Sequence, residues 1–126
     1  MEREITATFN SKEQYFITQS GKRIDYTKET GPYELMLGAL ALCFYRTFVT
    51  YEEKIEFEEI IIKVGGNKRK TVPTTLEETK LFITAKGVKD SSLFERAIEW
   101  TAQSCSIYQT ISQVSHMEIE IQYIYE

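Results

Sequence analysis

The chain has 126 residues, 42% hydrophobic and 27% charged, with six glycines and two prolines; this make-up fits one globular domain, residues 1–126, and excludes a largely disordered or fibrous chain. Its 15 Lys and Arg against 19 Asp and Glu leave a formal charge of −4, which excludes the basic footprint of a nucleic-acid binder. The opening MEREITATF carries no apolar leader, and the uncharged run Leu35 to Tyr45 is shorter than the about 20 residues a membrane span needs, so a soluble, cytoplasmic protein with no nucleic-acid or membrane partner is expected.

The N-terminal third alternates. Ile5, Ala7 and Phe9 point one way with Thr6 and Thr8 between them, EQYFITQ follows, and Ser20-Gly21 marks a turn before KRIDYTK. This pattern predicts three short antiparallel strands. Gly31-Pro32 then announces a helix, because proline is tolerated in a first turn where its missing N–H costs nothing. The helix is expected from about Tyr33 to about Glu53, near 30 Å long at about 1.5 Å per residue.

That helix is apolar on every side: Leu35, Leu42 and Val49 share one face, and Leu37, Leu40 and Phe44 occupy others. One small sheet covers one side only, so the helix predicts either a homodimer, with Gly38, Ala39 and Ala41 allowing close approach, or a monomer whose sheets wrap it. Two strands are expected at Glu56–Val64 and Leu76–Lys86. The intervening Gly65-Gly66-Asn67 and Lys68-Arg69-Lys70 read as a solvated loop. Asp90-Ser91-Ser92 is expected to cap a helix through LFERAIEWTAQSC, with Phe94, Ala97, Ile98 and Thr101 on one face. A short helix is expected over Ile107 to Val114, and MEIEIQYIY should be the last strand. The order βββ-α-ββ-α-α-β describes an α+β domain with antiparallel sheets.

Two residues carry chemistry of interest. Cys43 sits in mid-helix, where its own helix start is too far away to lower its pKa and burial raises it. Cys105 is expected in the first turn of the short helix with Ser104 as cap, where backbone N–H groups favour a thiolate. On composition both readings stand open: two small buried hydrophobes, or a redox pair of the kind an intracellular protein uses transiently. His116, the one histidine, opens the last strand and supplies neither a Cys–His dyad nor a metal site. No phosphate loop, dinucleotide fingerprint or serine-hydrolase elbow is visible, so no bound cofactor or metal is expected.

In combination, GPYELMLGALALC followed much later by SCSIYQTIS before a terminal strand resembles the OsmC/Ohr family of osmotically induced and organic-hydroperoxide-resistance proteins. Pro32, Glu34, Leu35, Leu37, Ala39 and Cys43 match the start of that family's long central helix. Cys105, Ile107 and the Thr110-Ile111-Ser112 run match its second cysteine motif. The resemblance implies a swapped homodimer with sheets around a long buried helix and two sites at the interface. It implies a thiol-dependent peroxidase for organic hydroperoxides, with Cys43 the nucleophile, Cys105 the resolving thiol and a lipoylated or other dithiol protein as external reductant.

The chain departs from the family pattern at three places. Peroxide-reducing members place a glutamate directly after the helix-start proline, where this chain has Tyr33; Glu34, one residue later, is the candidate the resemblance implies for that catalytic role. They use an N-terminal arginine, and TATFNSKEQ holds none; Lys12, Arg23 and Arg46 are the cations on offer. Ser106 replaces the proline of the second motif. The alternative implied is a dimeric apolar-ligand binder or redox sensor without peroxidase activity, with Tyr33, Tyr45 and Tyr108 beside a pocket among Leu40, Leu42, Phe44 and Phe48.

Overall fold

Nine elements run in the order β1 (Thr6–Phe9), β2 (Gln14–Ile17), β3 (Arg23–Asp25), α1 (Pro32–Phe48), β4 (Glu59–Lys68), β5 (Leu76–Lys86), α2 (Ser91–Ser104), α3 (Ser106–Ser112) and β6 (His116–Ile124) in the computed structural model, which describes residues 2–125. The chain divides into two compact units, Met1–Leu35 and Met36–Glu126.

In the first unit β1, β2 and β3 form an antiparallel meander. Asn10 closes the β1–β2 turn by accepting from the N–H groups of Lys12 and Glu13, the local bonding that makes asparagine a turn residue. Gly21 turns the next corner at φ +89°, a conformation that favours glycine. Tyr26 packs against Phe16 and Phe9.

In the second unit β5 is the middle strand of a three-stranded sheet. Leu81, Ile83 and Ala85 on its inner face are buried, and each lies between a β4 and a β6 residue: Val64 and Ile119, Ile62 and Ile121, Ile60 and Tyr123. Within this unit α1 contributes Leu40, Phe44 and Phe48 to the core, at a helical spacing of four. Phe48 meets Phe94 of α2 at 5.3 Å, and Phe44 meets Tyr108 of α3 at 5.9 Å. Burying each such ring stabilises the fold by about 1.5–3 kcal/mol.

Several sequence expectations need correction. The second sheet is mixed: β5 and β6 run parallel, because α2 and α3 lie between them and carry the chain back across the sheet. Helix α1 stops at Phe48. Beyond it Thr50 N–H bonds Thr47 O, Tyr51 N–H bonds Phe48 O and the Thr50 hydroxyl takes Thr47 O, competing with continuation of the helix. Gly65 to Lys68 belong to β4 rather than to a loop. A Cβ at Gly66 would come within 2.8 Å of Leu76 Cδ2 and 3.2 Å of the Glu78 carbonyl, so glycine here allows β4 to pass close to β5. Among the described residues no helix is long and apolar enough to cross a membrane.

Candidate active site

Asp90 starts α2 as expected: its carboxylate accepts from Leu93 N–H at 3.1 Å. Phe94, Ala97, Ile98 and Thr101 face the core. At the other end the chain breaks at one residue. Cys105 is extended, at φ −70° and ψ 116°, and caps both helices. Its N–H ends α2 on Thr101 O at 2.8 Å and its carbonyl begins α3 by accepting from Gln109 N–H. Its sulfur takes the N-cap position usually filled by a serine or aspartate oxygen, accepting from Tyr108 N–H at 3.4 Å. Ser104 ends α2 instead of capping α3.

This break brings the two thiols together. Cys105 Sγ lies 3.4 Å from Cys43 Sγ, with its hydrogen directed to Cys43. Ser106 Oγ lies 3.9 Å from the same Cys43 sulfur. Both thiols are free; Cys43 is half-buried and Cys105 has no exposed surface. A disulfide sets its sulfurs about 2.05 Å apart, so closing this pair needs roughly 1.4 Å of approach.

The two sulfurs differ in electrostatics. Burial pushes the Cys43 thiol up, but the Ile107 N–H, the Cys105 thiol and the Ser106 and Thr47 hydroxyls together hold it below the usual range. Burial raises Cys105, and the adjoining Cys43 raises it further, against the bonds from Tyr108 and Ile107 N–H. Burial raises the Tyr108 phenol too, with Cys105 adding to the shift. The sequence expectation is therefore reversed. Ile107 N–H at the start of α3 also acts on Cys43, which belongs to another helix, and Cys105, despite the donors on it, is the thiol pushed toward its protonated form.

The remaining sequence candidates have the following surroundings. Glu34 is in the first turn of α1, exposed, with its carboxylate folded over Gly31; Cys43 stands two and a half turns later on the helix. Arg23 pairs with Glu13 and Asp25 and lies 3.7 Å from the centre of the Tyr15 ring. Arg46 is exposed in the last turn of α1. Leu40, Phe44 and Phe48, read as possible pocket walls, are core residues, whereas Leu42 and Tyr45 are exposed. Sequence reading overlooked Thr47, although its place four residues after Cys43 puts it on the same helix face. It noted Ser106 only as a departure. Among the described residues no three His, Cys, Asp or Glu side chains converge to hold a metal ion.

A family model described as OsmC-like protein matches residues 25–120. The chain is similar in structure to an OsmC-like protein from Mycoplasma pneumoniae, with TM-score 0.82, 16% identity and coverage of 98% of both chains. It is similar to a hypothetical protein from Aquifex aeolicus, with TM-score 0.77, 21% identity and coverage of 98% of this chain and 97% of that one. The organic hydroperoxide resistance protein OhrB of Bacillus subtilis gives TM-score 0.68 at 15% identity, over 95% of this chain and 97% of that one. At such identities the likeness shows the fold. No curated protein sequence matches significantly.

Proposed function

The chain belongs to the OsmC-like protein family, and on that premise we propose that it is a thiol-dependent peroxidase that reduces organic hydroperoxides through a Cys43–Cys105 disulfide cycle. The observation that carries the reading is the 3.4 Å separation of a half-buried thiol from a wholly buried one. Cys43 thiolate attacks the terminal oxygen of the hydroperoxide. A sulfur–oxygen bond forms, the O–O bond breaks, and the departing alkoxide takes a proton from water to become the alcohol. Cys105 then attacks the sulfenic sulfur of Cys43; the disulfide forms, and the hydroxyl leaves with the Cys105 proton as water. An external dithiol, on a lipoylated or similar protein, restores both thiols and becomes a disulfide itself. Its attack falls on Cys43, because Cys105 has no exposed surface.

The same reading includes a homodimer. Leu35 and Leu42 on α1 and Val49 just after its end, seven residues apart, are each about half exposed, at 48%, 50% and 53%. An apolar stripe on a helix is stable when covered, and a second copy of α1 offers a matching stripe.

The testing experiment is a thiol count by intact mass after fully reduced protein receives one equivalent of an organic hydroperoxide. The reading expects rapid loss of both thiols as one intrachain disulfide, Cys105→Ser halting at the sulfenic acid and Cys43→Ser inert. Survival of both thiols for many minutes would sink it and turn attention to apolar-ligand binding.

A further inference from the structure

We propose that Ser106 and Thr47 are the side chains that hold Cys43 in its reactive thiolate form, by donating their hydroxyl hydrogens to its sulfur. The inference rests on the reading of Cys43 as the nucleophile and names what activates it. Ser106 is the first residue of α3, directly after the thiol that lies against Cys43, and its Oγ is 3.9 Å from Cys43 Sγ. Thr47 is one turn beyond Cys43 on α1, four residues later on the same helix face, where its hydroxyl reaches toward the same sulfur. Both donors are anchored through their own carbonyls, which accept from the Thr110 and Thr50 hydroxyls at 2.7 Å.

A thiolate sulfur accepts several hydrogen bonds at once, and bonds to a charged acceptor are stronger than those to a neutral one. Each hydroxyl aimed at the sulfur therefore favours the ionised form over the thiol. The sulfur receives this help from two directions, Thr47 along its own helix and Ser106 from the start of α3. Uncharged groups thereby supply an activation that elsewhere calls for a cation.

The test measures the rate of Cys43 alkylation by iodoacetamide across pH, in prereduced protein without hydroperoxide, with the modified residue located by peptide mass. Native chain is compared with Ser106→Ala and Thr47→Val, and with Ser106→Thr and Thr47→Ser, which keep a hydroxyl. Each hydroxyl-free variant should move the midpoint of the profile to higher pH, lower the rate near neutrality about threefold, and reach the native plateau at high pH. The hydroxyl-keeping variants should restore the native midpoint. An unmoved midpoint in Ser106→Ala overturns the role of Ser106, and one in Thr47→Val that of Thr47. A rate lowered equally at every pH also overturns the proposal, because it reports access instead of ionisation. A moved midpoint in a chain that hydroperoxide leaves reduced would keep the donor assignment and sink the peroxidase reading. Hydroperoxide-driven disulfide with unmoved midpoints would do the reverse.

Discussion

Cys105 donates its thiol hydrogen to Cys43 across 3.4 Å, although 62 residues of chain separate them. One partner is accessible and pushed toward ionisation; the other is sealed in the core and held protonated. This asymmetry gives each sulfur a different expected behaviour.

Titration with pH should separate them. The folded pKa of Cys105 is raised, so its contribution to stability is complete below the ordinary thiol value and is lost as pH rises through the folded value. Cys43 has the opposite sign: its contribution is present above the ordinary value and lost as pH falls through the depressed one. Replacing Cys105 with Ala should therefore flatten the fall of the thermal midpoint as pH rises above the ordinary thiol value, even though the variant is less stable throughout. An equally steep fall in both proteins would contradict the raised Cys105 pKa.

Truncating the ring that backs α3 should loosen the whole site. Phe44 is 1% exposed and packs on Tyr108, so Phe44→Ala should cost about 3–5 kcal/mol. Urea unfolding measures this, and a loss under about 1 kcal/mol would mean the site collapses around the gap.

A cap substitution offers a control remote from the thiols. Asp90→Ala removes the acceptor for Leu93 N–H and should lower stability by about 1 kcal/mol. The Cys43 alkylation profile should stay unchanged. A shifted profile would show that the start of α2 is coupled to the sulfurs.

The stripe on α1 predicts an oligomeric state. Sedimentation of the native chain should give twice the mass of one chain, and Leu42→Glu with Val49→Glu should give single chains, because two carboxylates cannot be covered without partners. A native chain that sediments as a monomer would remove the dimer from the reading.

Where local pattern dictates structure, the sequence was readable. Asp90 ahead of a run with Phe94, Ala97, Ile98 and Thr101 on one face specifies a capped amphipathic helix, and that helix forms with those four residues buried. The terminal strand and the three N-terminal strands follow from alternation, since side chains on a strand point to opposite faces in turn. The motif around Cys43 and Cys105 pointed to the family whose model matches residues 25–120.

Direction, proximity and ionisation lay beyond the sequence. Alternation in MEIEIQYIY is the same whether a strand pairs parallel or antiparallel, and only the path through α2 and α3 makes β6 parallel to β5. The mid-helix place of Cys43 suggested an unactivated thiol, because the sequence shows a residue's own helix and not the neighbour that ends beside it. The donors of Ser106 and Ile107 come from an element more than sixty residues later. Hydrogen bonds and burial are properties of distance in space, and folding, not spacing along the chain, set which thiol is ready to ionise.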